Sequence, residues 1–385
     1  FMAVELEKLY VQLIPEYNIR LCTQSCFEKR ISWIHMVEDI EFTQFLHGNE
    51  LLFNSGLNYE SNEWLKKFID CLCEKNAGGL IVGMHDGMGF PQEIVDYCNE
   101  KKLPLFSASW DTPYIDIMRL FSEILLKNEQ IETNLVNALK NAIYYPDSQD
   151  MYQNHLERNG FFEDYSYNVI RISCHTYDTD KGNSILEDLE RDIRYSMKKS
   201  IIYKEQGILT VLVAGHFEAW VKERVRDMCE NDENIYAGIG ITVNKLNEIH
   251  RSFESAQIAY QLTKTAIPKN YLVYNELGIY KILTDFKEPT LYTKFVDETL
   301  GSLLQYDREH QTDYVAILQA YFENECSTVC TAQALYCHKN TLTYKLNAIK
   351  EILGYDILNN ENRTKIMLSF YILRIGEMWY NNRKA

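Results

Sequence analysis

The chain has 385 residues, of which 46% are hydrophobic and 24% charged, a globular composition that excludes collagen-like and disordered classes. A net charge of −16 argues against a polyanionic partner for the chain as a whole, and no apolar run approaches the roughly 18 residues of a membrane-spanning helix. Its opening residues lack a basic segment followed by an apolar one, so no signal peptide is expected and the chain reads as cytoplasmic, with no membrane partner.

At this length about two to three domains are expected, and the fold class reads as multidomain α/β plus α. Residues 3–115 alternate helical and strand-like segments, as in an α/β domain. Ala77 to Gly83 is a short apolar run bounded by glycines and predicts a buried strand. Pro91 to Lys102 carries a helical pattern with Pro91 in its first turn, and Leu103 to Phe106 predicts the next strand. Strand, helix, strand at this spacing implies a parallel sheet covered by helices. Trp33, His35, Asn54, Ser55 and Trp110 lie near predicted strand ends and are candidates for a small-molecule effector site. The alternative is that Trp33 and His35 are core residues. The loop Met84-His85-Asp86-Gly87 either lines such a pocket or sits in solvent.

Residues 116–145 predict one long connecting helix. Ile117, Phe121, Ile124, Asn128, Ile131, Leu135, Ala138 and Ala142 recur at alternating spacings of four and three, a heptad seam with Asn128 at an a position. Either this is a dimer coiled coil or a single amphipathic helix lying on its own domain.

Residues 146–290 carry a second α/β pattern. Tyr167–Ser173 predicts a strand, 185–197 a helix, 200–203 and 208–214 a hairpin around Lys204-Glu205-Gln206-Gly207, then 217–229 a helix, 236–242 a strand and 246–264 a helix. The order β-α-β-β-α-β matches a ferredoxin-like α+β unit. Residues 291–385 read as helical throughout.

The ten cysteines are scattered, form no C-x-x-C and are expected to be reduced and mostly buried. Cys326, Cys330, Cys337 and His338 cluster, but their spacing matches no common zinc pattern, so no metal is expected. Charge is uneven. Residues 314–385 hold eight Lys/Arg and six Asp/Glu, a net of +2, leaving −18 on the remainder, so only this tail suits nucleic acid.

In that tail Ser327 or Thr328 can cap a short helix running to Leu335, with Ala332 and Leu335 facing inward. After a break at Cys337-His338-Lys339, a helix from Asn340 to Ile352 buries Leu342, Leu346, Ile349 and Leu353, and Gly354 ends it. Two short helices across a tight turn predict a helix-turn-helix whose second helix enters the major groove of duplex DNA. The opposite face shows Asn340, Tyr344 and Asn347 with Thr343 alongside. Ser327, Thr328, Lys339, Asn340, Thr341, Thr343, Tyr344, Lys345 and Asn347 are the candidate DNA-binding residues. An ordinary helical hairpin is the alternative.

Asp307-Arg308-Glu309-His310, Leu318-x-x-Tyr321-Phe322-Glu323-Asn324 and Ala332-x-Ala334-Leu335-x-x-His338-Lys339-Asn340-Thr341-Leu342-x-Tyr344-Lys345-Leu346 resemble the C-terminal DNA-binding domain of PucR/CdaR-type bacterial transcriptional regulators, as do Gly354-Tyr355-Asp356 and Asn362-Arg363. Lys339 and Lys345 stand where arginine is common, which keeps charge but loses the bidentate fork. Ile31-Ser32-Trp33-Ile34-His35 and Gly48 to Leu57 resemble the family's N-terminal purine-catabolism-regulator domain. Ala237-Gly238-Ile239-Gly240 with Ser252-Phe253-x-Ser255-Ala256 resembles its central GGDEF-like domain, here degenerate. The resemblance implies an effector-responsive regulator, an activator of a catabolic operon, working as a homodimer or higher homo-oligomer without cofactor.

Two other classes stay open: an α/β enzyme with a helical tail, hydrolase or cyclase-like, and a scaffold that binds no DNA. The turn Lys204-Glu205-Gln206-Gly207 has one acid and no tandem glycine, so it cannot assemble a metal-assisted phosphoryl-transfer site. No catalytic motif is present, and no enzyme activity is expected.

Overall fold

The computed structural model describes residues 4–13, 17–59, 61–84, 89–176, 178–197, 199–215, 218–265, 267, 269–285 and 289–382. They form two compact units, Phe1–Asn134 and Leu135–Ala385.

The first unit runs β1 (Val4–Glu5), α1 (Leu6–Leu13), β2 (Ile19–Leu21), β3 (Arg30–Ile31), β4 (Trp33–Met36), β5 (Glu50–Asn54), α2 (Asn62–Glu74), β6 (Gly79–Met84), α3 (Gln92–Lys101), β7 (Leu105–Ser109) and the start of α4 (Tyr114–Tyr144). Its main sheet has the order β2-β7-β6-β5-β4, parallel except for β2. The expected β6-α3-β7 crossover is present. All five residues of β5 and all six of β6 are buried because both faces are covered. Leu51, Phe53, Ile81 and Phe106 meet Leu6, Leu9, Ile117 and Phe121 on one side. Leu52, Leu80, Val82 and Leu105 meet Leu65, Phe68, Ile94 and Cys98 on the other. Helix α2 starts at Ser61, whose Oγ accepts from the Trp64 amide at 3.2 Å. Replacing Ser61 by alanine removes that cap and is expected to cost about 1 kcal/mol in urea unfolding.

The second unit continues with α5 (Gln153–Arg158), β8 (Tyr167–Cys174), α6 (Thr179–Ser196), β9 (Ser200–Glu205), β10 (Ile208–Ala214), α7 (Glu218–Asn231), β11 (Ile235–Ile239), α8 (Ile249–Thr265) and β12 (Tyr271–Val273). The sheet order is β12-β11-β8-β10-β9, antiparallel except for the β11–β12 edge. Helices α6 and α7 cover one face; α8 and the last turns of α4 cover the other. The helices α9 (Ile279–Asp285), α10 (Pro289–His310), α11 (Tyr314–Glu323), α12 (Thr328–Ala334), α13 (Lys339–Leu353) and α14 (Asn360–Asn382) follow.

Three expectations change. The boundary drawn between 290 and 291 crosses a shared core, in which Ala259 and Leu262 of α8 pack with Tyr280, Leu283, Tyr292, Val296, Ile372 and Ile375. The heptad seam is spent at both ends: Ile117 and Phe121 are buried in the first unit, and Ala138 and Ala142 in the second. Ile124 and Leu135 are half-buried and pack against those same two cores, so of the seam only half-buried Asn128 and exposed Ile131 are left. Of the cysteines, Cys26, Cys98 and Cys229 are buried, Cys330 is exposed and the other six are half-buried; all are free thiols. Burial pushes the Cys26 thiol up to about 11 and those of Cys98 and Cys229 to about 12.

Candidate nucleic-acid interface

The C-terminal helices share one core, in which Leu300, Leu318 and Phe322 enclose Leu342, Leu346, Ile349 and Leu353 of α13 with Ile366 and Phe370. The buried face of α13 is the one its spacing predicts. Ser327 Oγ accepts from the Cys330 amide at 3.3 Å and starts α12. The chain then reverses through Tyr336 at φ 52°, with the Cys337 amide donating to Ala332 O at 2.9 Å. His338 Nδ1 accepts from the Asn340 amide at 3.2 Å and starts α13, and Gly354 ends it in the left-handed region at φ 73°. Asp307 is placed by α10 across the start of α11, where its carboxylate accepts from the Tyr314 and Val315 amides at 2.9 and 2.8 Å. A carboxylate there satisfies orphan amides and complements the helix dipole.

Lys339, Asn340, Thr341, Thr343, Tyr344 and Asn347 are all exposed, on one side of α13. Ser327 and Thr328 are half-buried, and Ser327 is engaged as a cap. Lys345 is also half-buried; its Nζ lies 3.3 Å from the Asp313 carboxylate. Lys350 and Lys365 face Asp356 and Glu361, and Arg374 faces Glu323. Lys339 and Arg363 have no ion pair among the described residues. The face toward solvent is therefore amide, hydroxyl and phenol, with one cation at its helix start.

The five effector candidates do not converge. Trp33 and His35 are exposed on the edge strand β4, level with Glu50 and Leu52 of β5, so neither is a core residue. Asn54 and Ser55 lie at the far end of β5, and Trp110 follows β7, with β6 between. Asn54 is buried; its amide donates to Val37 O at 2.8 Å and its carbonyl accepts from the Gly56 amide at 2.8 Å. Ser55 Oγ donates to the Glu38 carboxylate at 2.8 Å, and that carboxylate also takes the Ser55 amide. Tyr114 Oη donates to Asn54 O at 3.3 Å; burial, then the Glu38 charge, pushes this phenol well above its ordinary value. Backbones approach closely here: a Cβ on Gly56 would lie 2.0 Å from Gly83 O. Residues 85–88 of the adjoining loop lie outside the described residues. Among the described residues no group of three or more His, Cys, Asp or Glu is placed to share a metal.

Two family models match the chain: the purine catabolism regulatory protein-like family over residues 18–125, and the PucR C-terminal helix-turn-helix domain over residues 314–372. The chain carries both PucR domains. The proline-responsive transcriptional activator PutR of Bacillus subtilis (strain 168) is 28% identical over 142 residues, 36% of this chain and 34% of its own. The transcriptional activator AdeR of the same organism is 29% identical over 139 residues, 35% of this chain and 33% of its own. The purine catabolism regulatory protein of that organism is 28% identical over 139 residues, 36% of this chain and 26% of its own. The aligned stretches thus span about a third or less of each relative's length.

In the PucR helix-turn-helix two features escaped the sequence reading. Tyr336 is 98% exposed at the apex of the turn, and Val329 and Cys330 are exposed at the start of α12. A large aromatic between two helices, followed by a cysteine and a histidine, was the available signal. In the PucR N-terminal domain the missed groups are Glu38 and Tyr114. An acid two residues after the strand run Trp33 to Met36 marked Glu38, because strand C-terminal ends are where α/β sheets gather polar groups.

Proposed function

We propose that the chain is a ligand-responsive, DNA-binding transcriptional regulator that activates a catabolic operon. The exposed face of α13 carries this reading. A merely solvated helix face carries Glu/Lys pairs, whereas this one offers Asn340, Asn347, Thr343 and Tyr344 beside Lys339, groups suited to base edges and phosphates. The roles of PutR and AdeR as activators agree with it. The central sheet is a ferredoxin-like, degenerate GGDEF-like module in this reading, without catalysis. The effector is a small metabolite held by the N-terminal domain near the β5 and β7 strand ends. No helix of the described chain is long and apolar enough to cross a membrane, and the regulator works in the cytoplasm.

It acts as a dimer. Ile131 leaves the middle of α4 with exposed apolar surface one turn from Asn128, and a seam polar residue sets register. A dimer sets two recognition helices roughly 34–36 Å apart, one turn of duplex. Ile131→Glu is expected to weaken self-association in sedimentation equilibrium by about tenfold or more; an unchanged dimer would remove this helix from the interface. The regulator reading is tested by anisotropy of the full chain against DNA upstream of its own and neighbouring genes at two salt concentrations. A sequence-specific signal that weakens with salt supports it, and no discrimination from random duplex overturns it.

A further inference from the structure

The central-sheet face beneath α4 and α8 changes character along its strands. Tyr167, Val169, Leu212, Ala214 and Ile201 close a core with Phe253 and Ala256. One row further, register brings Gly238, Arg171, Thr210 and Tyr203 side by side on that same face. The row after it is Tyr236, Ser173, Ile208 and Glu205.

Arg171 is out of place by ordinary packing. Its guanidinium carbon lies 4.9 Å from the centre of the Phe253 ring, and its buried Nε has no hydrogen-bond partner. No ion pair reaches it among the described residues. Burial lowers its pKa from the ordinary value. The Tyr203 hydroxyl in the same row is also buried, with the Thr210 side chain beside it. Lys140 Nζ stands 4.9 Å over the Tyr203 ring and 3.5 Å from Glu205. The row and Lys140 beside it therefore set two cations against one carboxylate, a net of +1 around the unsatisfied Arg171 Nε. A half-buried cation without a counter-charge is costly, and an apolar side chain of similar volume is at least as stable there.

We propose that Arg171 and Tyr203 hold a small organic carboxylate on this row of the central domain. A planar carboxylate matches the guanidinium fork and supplies the single negative charge the row lacks. Phe253 and Tyr144, edge to face at 6.0 Å, wall an apolar body attached to it. Glu205 at the rim disfavours a dianion such as phosphate. The site is separate from the effector site of the N-terminal domain, and its existence does not depend on DNA binding.

The test uses the full chain with acetate and benzoate as probes, inorganic phosphate as comparator, and chloride to match ionic strength. Melting temperature and calorimetric titration are read together. Both carboxylates raise the melting temperature saturably, benzoate more than acetate, and phosphate does not. Arg171→Met weakens their binding by at least about tenfold, Tyr203→Phe by severalfold, and Arg226→Met, on the opposite face, not at all. Without ligand, Arg171→Met melts no lower than the parent, since it removes an uncompensated charge. Arg171→Lys keeps the charge, loses the fork and binds severalfold more weakly, so the assignment is testable even if the methionine variant fails to fold. Absence of saturable binding, an equal response in Arg171→Met or Arg171→Lys, or protection by phosphate in place of carboxylates overturns the proposal.

Discussion

Alanine at Asn340 or at Asn347 is expected to weaken specific duplex binding by about 1–3 kcal/mol each, roughly 5- to 150-fold, while leaving random-sequence binding nearly unchanged. Both side chains are exposed on the face of α13 opposite its buried leucines, so neither change disturbs packing. Lys339→Gln behaves differently. It removes a phosphate contact, lowers specific and random binding together, and reduces the slope of log affinity against log salt by about 1. Lys345→Gln has a smaller effect, because the ammonium must first leave Asp313 at 3.3 Å, an exposed pair worth about 0.2–1 kcal/mol. With four of the six described tail cations already facing carboxylates, the salt slope is shallow for a duplex binder. The measurement is anisotropy at two salt concentrations, with circular dichroism confirming the fold. Specific affinity within about twofold of the parent in the Asn340→Ala, Asn347→Ala double variant would remove α13 from the groove.

Local periodicity carried the legible part of this molecule. The crossover from β6 through α3 to β7, the hairpin of β9 and β10, and the inner face of α13 follow from spacings of two and 3.6 residues and from terminal glycines. Long-range partners were not legible. The apolar faces of α8, α10 and α14 are visible in the sequence, but only the fold shows that they meet, which is why a boundary at 290 looked plausible. Asp313 and Lys345 are 32 residues apart, and nothing local marks their pairing. Trp33 and His35 read equally well as pocket or core because a four-residue strand does not reveal that it is a sheet edge. Asn54 and Ser55 stand where a ligand site was expected, yet burial obliges their polar groups to bond Val37 and Glu38.

Alanine at Gly238 or Gly240 is expected to destabilise the second unit by roughly 3 kcal/mol or more, beyond ordinary overpacking, because the obstacles are backbone. A Cβ on Gly240 would lie 2.0 Å from Ser252 O, and one on Gly238 2.2 Å from Tyr260 N and 2.4 Å from Ala256 O. Helix α8 cannot retreat freely. Its Ser252 hydroxyl donates to Ile241 O at 2.6 Å and accepts from the Val169 amide at 2.8 Å, while Ser255 Oγ accepts from the Ile241 amide at 2.9 Å. Its other side packs Ala259 and Leu262 against Ile372 and Ile375. The glycine and serine motif of β11 and α8 is thus, in this chain, a device for seating a helix close on a sheet. For a unit of this size the expected fall in melting temperature is about 6–12 °C. Gly301, in α10 with only Asp297 Cβ at 3.8 Å, supplies the opposite sign: Gly301→Ala stabilises by about 0.5–1 kcal/mol through helix propensity. Melting temperatures of Gly240→Ala and Gly301→Ala that moved together would refute the close seating of α8, because only a steric block separates the two substitutions.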